Sequence, residues 1–352
     1  MEKFYTGAID DSPDKRDRPY EDYVLAVGAL EIDWEKGYDI RNLLGGDIYI
    51  KNQKQSSSCV GQGWSYKVFV YQVIEMMAKY DMTLDELRIY HKEEIDEISA
   101  KAIYSQIFLP SGGAMIRSGG LLTTKWGAVF ESLVPSLKDG KTTEEFMRDK
   151  TWLTEDISKI AEVLKGKECR LIDNRGKMDL FAQAIIQNHG VVGGVRGQNG
   201  RGWNTQRPKP PISTSDVDWG HCLYYGAFGT DEFGKFIATP NSWGKKSWDK
   251  DWKPGDKPGT GWQKLYQDYF VKEYQFPPWT YTDILNKKEP MTNAKLIRNT
   301  AGDGREHGIY LPIYSEDALI SMFGNYGLEV PKKEDGKVDW DKLKADGETT
   351  IA

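Results

Sequence analysis

QKQSSSCVGQGWSYKVFVYQ, residues 53–72, joins two contrasting patterns at a single cysteine. The residues before Cys59 are polar and include three consecutive serines, whereas the apolar residues after it recur at helical spacing on most sides. This pattern predicts a helix from about Val60 that is buried over most of its girth. Cys59 would then lie at the N-terminus of a central helix, where the helix dipole favours the thiolate.

A thiolate at this position needs a partner that accepts its proton, and an imidazole can hold that proton as an ion pair. The sequence has four histidines: His91, His189, His221 and His307. His221 begins a segment in the half of the chain that is rich in short β-branched and aromatic runs, which are typical of strands. His189 instead follows a predicted helix, where a role in the C-terminal cap is expected. We therefore interpret His221 as the proton acceptor.

Two carboxamides complete the candidate site. Asn241 ends a further strand-like segment, and a hairpin between this segment and that of His221 would bring the two side chains together. The Asn241 oxygen would accept the imidazole N–H and fix the tautomer of the ring, while Trp243 would shield that bond from water. Gln53, six residues before Cys59, would donate its amide N–H to a developing oxyanion, with the Cys59 backbone N–H as the second donor.

A glutamine, a cysteine six residues later, a distant histidine and the run NSWG at residues 241–244 together resemble the papain-like cysteine peptidases. The resemblance implies the following roles: Gln53 in the oxyanion hole, Cys59 as nucleophile, His221 as base and Asn241 as the residue that orients the base. It extends over about residues 5–280 and includes segments similar to the bacterial and phage-type branch. The residues ahead of the domain are too few for the usual inhibitory propeptide, so no zymogen step is expected.

Some positions depart from the family pattern without removing a reacting group. Val60 stands where the family has a tryptophan, and Cys222 replaces a small residue after His221. Ser56 replaces a cysteine that forms a disulfide in secreted relatives, which favours a reducing compartment. The three cysteines of the chain are too few and too scattered for a disulfide framework or a zinc site, so neither a metal nor an organic cofactor is expected.

The fold implied by the resemblance is α+β. It is a papain-like two-lobe fold with a helical left lobe and a β-barrel-like right lobe. Thr83 and Glu86 have the spacing of a capping box, which predicts the start of one helix. Residues 1–286 would form the peptidase domain, and the polar, short apolar bursts of residues 1–50 indicate an extended arm and short strands that wrap it. Residues 287–352 would form a small C-terminal α/β accessory module of unknown role, built from a β-hairpin and a capped helix.

Two further segments are candidates for the walls of a cleft. Gly112 and Gly113 would expose backbone that pairs with an extended substrate, as the matching loop of the family does, although a flexible turn explains them equally well. Trp243 is a third candidate substrate-binding residue. The long loop at residues 194–214 carries three arginines and Trp203, and it is either a rim that recognises acidic substrates or solvated surface.

Bulk properties limit the classes of partner. The 352 residues carry a net charge of -6 with acids and bases mixed along the chain, which argues against nucleic acid as the main partner. No run approaches the ~20 apolar residues of a membrane span, and the N-terminus does not resemble a secretory signal. We therefore expect a cytoplasmic or virion-associated protein that acts on a peptide or polypeptide, with the C-terminal module as a possible docking site for an assembly partner.

The function predicted from these features is that of a cysteine endopeptidase. One alternative is a structural or assembly component of a phage-like particle that uses the same scaffold, with or without a particle-borne peptidase activity. A second alternative is acyl transfer to an amine instead of hydrolysis, because the same Cys–His–Asn chemistry supports both.

Overall fold

The computed structural model describes residues 6–27, 29–92, 94–166, 168–172, 178–244, 261–281, 292–299, 306–313 and 332–333. The helices in these ranges are α1 (Tyr20–Val27), α2 (Ile40–Leu44), α3 (Cys59–Tyr80), α4 (Leu84–Tyr90), α5 (Ala100–Ile107), α6 (Ile116–Lys125), α7 (Glu144–Arg148), α8 (Glu155–Ala161) and α9 (Met178–Asn188). The strands are β1 (Ala8–Ile9), β2 (Tyr38–Asp39), β3 (Ala114–Met115), β4 (Cys169–Leu171), β5 (Val191–Gly197), β6 (Trp219–Tyr225), β7 (Ala227–Asp231), β8 (Gly234–Pro240), β9 (Trp262–Tyr266), β10 (Gln275–Tyr281), β11 (Thr292–Asn299) and β12 (Glu306–Ile313).

Helix α3 is the central buried helix that the sequence predicts. Every residue from Cys59 to Val73 is buried, and the helix packs against α5 on one side and strand β6 on another. Two glycines permit this approach. A Cβ on Gly61 would lie 2.6 Å from the carbonyl oxygen of Ala100, and a Cβ on Gly63 would lie 3.0 Å from Sγ of Cys222. The helical and strand-rich halves therefore meet along α3.

The strands of the second half form two antiparallel sheets of four strands, in the orders β4-β10-β5-β6 and β2-β7-β8-β9. Within the described residues these sheets do not close into a barrel, so the right lobe is strand-rich but not barrel-shaped. The expected hairpin between the strands of His221 and Asn241 is wrong. Strand β6 pairs with β5, and the chain then bends at Gly226 into β7, which pairs with β8. The bend brings β6 and β8 into contact from different sheets.

The first fifty residues are only partly extended. Strands β1 and β2 agree with the expected short strands, but residues 20–27 form α1 and residues 40–44 form α2. Glu21 and Asp22 lie in the first turn of α1, where carboxylates complement the helix dipole. Asp39 caps α2 by accepting a hydrogen bond from the backbone N–H of Arg41. Local charge and capping thus favour helix where the apolar bursts alone had indicated strand.

Other sequence predictions are confirmed by the helix ends. Thr83 and Glu86 form a complete capping box at the start of α4. Helix α9 ends at residues with positive φ, His189 at 53° and Gly190 at 107°, and the N–H of Gly190 donates to the carbonyl of Ile185.

In the C-terminal part, the structure describes a hairpin and residues 332–333. Strands β11 and β12 pair antiparallel from Thr292 with Ile313 to Asn299 with Glu306, as the sequence predicts. The helix expected after this hairpin and the loop at residues 245–260 lie outside the described residues. The division of the chain near residue 286 stays a prediction. None of the helices in the described part of the chain is both long and apolar enough to cross a bilayer.

A buried lysine joins α3 to the strand-rich half. Lys67 is fully buried, and its ammonium group donates to the carbonyl oxygens of Asn188 and Gly190 and, at 3.0 Å, to Oγ1 of Thr280. Burial lowers the pKa of Lys67 well below its usual value, because the charged form loses its hydration. The hydrogen bonds offset this cost by providing the ammonium with three acceptors.

We expect Lys67→Met to lower the free energy of unfolding by about 1–2 kcal/mol, because the loss of the hydrogen bonds outweighs the gain from removing a buried charge. The loss stays modest since both carbonyls keep a second donor, the Tyr71 hydroxyl at 3.0 Å for Asn188 and the Thr280 hydroxyl at 3.0 Å for Gly190. Urea unfolding measures the change. The control is Lys79→Met on the same helix, whose side chain is partly exposed and which should change stability by less than about 0.5 kcal/mol. A gain in stability in Lys67→Met would contradict the argument.

Candidate active site

Cys59 is the first residue of α3 and its side chain is completely buried. Backbone N–H groups of Cys222, Gly7 and Val60 lie near its sulfur, where they lower the pKa of the thiol. The thiol therefore lies where three parts of the chain meet: the N-terminus of α3, strand β6, and the segment ahead of α1. The sequence predicted the helix end, but not the other two contacts.

The imidazole of His221 lies on β6 directly before Cys222, so the residue whose backbone reaches the thiol is the neighbour of the histidine. Its Nε2 lies 3.0 Å from Oδ1 of Asn241. Its Nδ1 is buried and has no hydrogen-bond partner among the described residues. With the Asn241 oxygen as acceptor, Nε2 carries the proton and Nδ1 is the nitrogen left to accept one.

Asn241 is in turn held by Gln263 on β9, which the sequence reasoning missed. Nδ2 of Asn241 donates to Oε1 of Gln263 at 2.6 Å. Nε2 of Gln263 donates to the carbonyl oxygens of Trp203 at 3.2 Å and Thr205 at 2.7 Å. Gln263 is completely buried. A polar residue inside a strand was the only signal for it, and strand alternation does not tell which polar residue faces a site.

Three tryptophans enclose the imidazole. Trp243 stacks on it with ring centroids 4.3 Å apart and planes 18° apart, and only 8% of Trp243 is exposed. Trp203 and Trp219 approach the ring edge-on, each with its centroid 6.4 Å away. The shielding role expected for Trp243 agrees with this stacking, whereas the contributions of Trp203 and Trp219 come from loop and strand packing that the sequence does not encode locally.

The loop that carries Trp203 is not simply solvated surface, because Trp203 is only 2% exposed. Its arginines also contact groups of the same chain. Arg196 pairs with Asp10 at 2.5 Å, Arg201 donates to the carbonyl of Pro210 at 2.9 Å, and Arg207 lies over the ring of Phe233. The ring of Trp203 covers His221, and the loop contacts Asn241 indirectly, through Gln263.

Gln53 is held by the strand end that carries Asn241. Its Oε1 accepts a hydrogen bond from the Ser242 hydroxyl at 2.7 Å, and its backbone N–H donates to the carbonyl of Ser242 at 2.8 Å. Its Nε2 donates to the carbonyl of Ser56 at 2.9 Å, which accounts for one of the two amide hydrogens. The carboxamide is therefore fixed in orientation, with its nitrogen on the side of the loop that leads to Cys59.

Solved structures of cysteine proteases share this arrangement of elements. Xylellain, a cysteine protease from Xylella fastidiosa, is 17% identical with a TM-score of 0.57, and the alignment covers 80% of this chain and 96% of that one. The chain has the papain-like fold. Procathepsin B S9 from Trypanosoma congolense is 11% identical with a TM-score of 0.50, over 79% of this chain and 86% of that one. The protease and lectin-like domains of Cwp84 from Clostridium difficile are 12% identical with a TM-score of 0.52, over 81% of this chain and 57% of that one.

No protein-family model and no curated protein matches the sequence.

In this papain-like fold, the N-terminal arm (residues 6–19) runs past the thiol. Strand β1 of the arm pairs in parallel with β3, and the N–H of Ala114 donates to the carbonyl of Gly7 at 2.8 Å. On the other side, the N–H of Gly7 donates to the carbonyl of Gly220 at 3.1 Å. A Cβ on Gly113, whose φ is 74°, would lie 2.2 Å from the Gly7 oxygen. Next to it, Gly112 closes a turn by donating to the carbonyl of Leu109.

The protein's own arm thus pairs with Ala114, directly after the two glycines, whereas the N–H of Gly113 donates to the hydroxyl of Tyr104. The predicted pairing of Gly112 and Gly113 with a substrate stays a prediction. Acidic residues of the arm hold it in place. Asp17 pairs with Arg117 at 3.1 Å, and Asp11 accepts from the backbone N–H of Arg117 at 3.1 Å and from the indole of Trp279 at 3.3 Å. At Gly7 the arm lies against Cys59, a contact that the predicted wrapping arm did not include.

Burial under the arm changes the protonation of the site. Loss of hydration raises the pKa of Cys59 to about 12, against backbone hydrogen bonds that lower it. Loss of hydration also lowers the pKa of His221 to about 4, against the hydrogen bond to Asn241 that raises it. Burial thus favours the neutral thiol and the neutral imidazole, and it opposes the thiolate that the helix end favours. The thiolate form of Cys59 stays a prediction.

We expect Gly7→Ala to displace the arm, because a Cβ at this position would lie 2.2 Å from the backbone oxygen of Ser57. Water then reaches the thiol and its pKa falls, since the raised value comes from burial. The rate of Cys59 alkylation by iodoacetamide at pH 7 should rise by at least about tenfold, as each pKa unit changes the thiolate fraction tenfold.

The control variant is Ser12→Ala, which changes an exposed residue of the same arm. The pH dependence gives a second check. In the parent chain the alkylation rate should still be rising above pH 9, whereas in Gly7→Ala it should level off at lower pH. Equal rates and equal pH profiles in the parent and Gly7→Ala would mean that the arm does not control access to the thiol.

Proposed function

We propose that the chain is a cysteine peptidase that hydrolyses peptide bonds, with Cys59 as nucleophile and His221 as base. The observation that carries the proposal is the 3.0 Å contact between Nε2 of His221 and Oδ1 of Asn241. His221 is also the neighbour on β6 of Cys222, whose backbone lies near the Cys59 sulfur. This contact leaves Nδ1 of the imidazole as the proton acceptor. The papain-like fold agrees with the assignment, and the xylellain structure is described as that of a cysteine protease.

The chemistry follows from these positions. The Cys59 proton passes to Nδ1 of His221, and the thiolate attacks the scissile carbonyl carbon. The carbonyl oxygen becomes an oxyanion, which the backbone N–H of Cys59 and the amide of Gln53 stabilise. His221 returns the proton to the leaving amine, which leaves a thioester on Cys59. His221 then takes a proton from water, the hydroxide attacks the thioester, and the acid product leaves with the thiol regenerated.

The substrate would be an extended peptide that replaces the arm. The arm uses the N–H of Ala114 and the carbonyl of Gly220, so a peptide in its place has one donor and one acceptor on opposite walls of the cleft. Gly112 and Gly113 would leave room for its backbone, because neither has a side chain. Trp243 would contribute mainly by covering the imidazole, and its small exposed edge would contact the substrate.

We assign this activity to residues 1–286 and treat residues 287–352 as an accessory module that is available to an assembly partner. The antiparallel hairpin β11–β12 supports a separate structural unit in this part, since its strands pair with each other.

Labelling with a thiol-reactive epoxide tests the proposal. In chains that carry Gly7→Ala to open the cleft, we expect selective modification of Cys59, strongly reduced by His221→Ala. Cleavage of a peptide library should be abolished by Cys59→Ala and reduced by a factor on the order of 10³ by His221→Ala. Mass spectrometry locates the label, and Cys222→Ala is the control for the neighbouring buried thiol.

Equal labelling of Cys59, Cys169 and Cys222, with no cleavage of any peptide, would contradict the peptidase proposal. That result is what the alternative function, a structural component of a phage-like particle, predicts. Product analysis with an added amine separates hydrolysis from acyl transfer. We expect mainly the free acid, whereas mainly amide product would assign the chain to acyl transfer.

A further inference from the structure

We propose that Gln263 is a positioning residue that keeps the proton of His221 on Nε2, through a chain of hydrogen bonds whose direction is set by two backbone carbonyls. The inference rests on the proposed function, because it concerns the base of that reaction. It assigns a role to a side chain that contacts neither the thiol nor the imidazole.

The chain of hydrogen bonds begins at atoms whose role is unambiguous. Backbone carbonyl oxygens only accept hydrogen bonds. The carbonyl oxygens of Trp203 and Thr205 lie 3.2 Å and 2.7 Å from the same end of the Gln263 carboxamide. That end must therefore be the NH₂ group. The amide oxygen of Gln263 then faces the other way, toward Asn241.

The orientation of the Gln263 carboxamide fixes that of Asn241. Because an amide oxygen accepts only, the group of Asn241 that lies 2.6 Å from the Gln263 oxygen must be its NH₂. The Asn241 oxygen is then the atom 3.0 Å from Nε2 of His221, and Nε2 must be the protonated ring nitrogen. Without Gln263, the two ends of the Asn241 carboxamide have nearly the same shape, and packing alone does not select between them.

Burial makes this selection strong. Gln263 and His221 have no exposed surface and Asn241 is 3% exposed. A reversed amide would set NH₂ against NH₂ or oxygen against oxygen in a place where water does not restore the lost bonds. Hence Gln263, Asn241 and His221 each have one favourable orientation or tautomer. Loss of the Gln263 carboxamide therefore changes which nitrogen of the imidazole carries the proton.

The carbonyls that set the direction are themselves held in place. The backbone N–H of Lys264, next to Gln263, donates to the carbonyl of Gln206 at 2.9 Å, which ties the loop to β9. The indole N–H of Trp203 donates to the hydroxyl of Tyr269 at 3.0 Å. Trp203 thus serves twice, because its ring encloses the imidazole and its carbonyl orients Gln263.

The tautomer matters for the proposed reaction. With the proton on Nε2, Nδ1 has a lone pair that accepts the Cys59 proton. With the proton on Nδ1, the nitrogen that the proposed reaction uses has no lone pair to offer, and the thiol is not activated.

Two substitutions distinguish positioning from packing. Gln263→Met fills the space but has no polar group, so Asn241 is free to reverse. Gln263→Glu behaves differently below and above the pKa of the introduced carboxyl. When protonated, its O–H donates to a loop carbonyl and its C=O accepts from Asn241, as the native amide does. When ionised, both oxygens accept, and the carboxylate faces the carbonyl oxygens of Trp203 and Thr205.

We expect kcat/KM of Gln263→Met to fall by about a factor of 10² at every pH, by analogy with the large cost of a wrong tautomer in Cys- and Ser-based sites. For Gln263→Glu, the ratio of its kcat/KM to that of the parent chain should be near one at low pH and fall as pH rises through the pKa of the new carboxyl. Gln275→Met is the control, since Gln275 is a buried glutamine on β10 that also donates to a backbone carbonyl. Its ratio should not depend on pH.

The ¹⁵N chemical shifts of the His221 ring in the full chain give a readout that needs no activity. The parent chain should have the proton on Nε2, and Gln263→Met should gain a population with the proton on Nδ1. Activities are compared in chains that carry Gly7→Ala, which opens the cleft. If Gly7→Ala alone cleaves peptides and the added Gln263→Met changes neither the tautomer nor kcat/KM, the inference is wrong. If Gly7→Ala cleaves nothing, the proposed function fails instead, and the tautomer measurement still decides whether Gln263 sets the proton position.

Discussion

The contact between α3 and β6 places the reacting groups. Cys59 lies at the first residue of the helix, and His221 and Cys222 lie on the strand that crosses it. Gly63 lets the two elements approach closely because a side chain there would meet the Cys222 sulfur at 3.0 Å. One turn further along the helix, Lys67 fastens it to backbone carbonyls of the strand-rich half. The position of Cys59 relative to the strand of His221 is thus set by helix–strand packing rather than by a loop.

The polar groups of the site form two branches that meet at one strand end. Asn241 and Ser242 are neighbours after β8. Asn241 holds the imidazole, and Ser242 holds Gln53 by both its hydroxyl and its carbonyl. The proposed base, His221, and the proposed oxyanion donor, Gln53, are therefore positioned by the same short piece of backbone. A displacement of this piece would move both groups together and preserve their relative geometry.

The sequence predicted the parts of this site that depend on local chemistry. The helix that begins at Cys59 follows from apolar spacing, the capping box at Thr83 from two side chains, and the proximity of His221 and Asn241 from motif order. It did not predict Gln263 or Trp203, whose roles arise from a loop folding back over β9. The bend at Gly226 that sends the chain from one sheet to the other, and the open sheets in place of a barrel, are likewise tertiary outcomes that strand patterns do not specify.

The arm that lies against Cys59 is covalently tied to the domain it covers, and this has a kinetic and thermodynamic consequence. A tethered strand is present at its own site at an effective concentration on the order of millimolar, whatever the dilution of the protein. Any peptide that binds in this groove must compete with the arm. Its apparent affinity therefore reflects the difference between the binding free energies of the peptide and of the arm. Dilution of the protein does not reduce the occupancy of the groove by the arm. A ligand displaces the arm only if it forms stronger backbone hydrogen bonds, or if the contacts between the acidic residues of the arm and Arg117 are weakened.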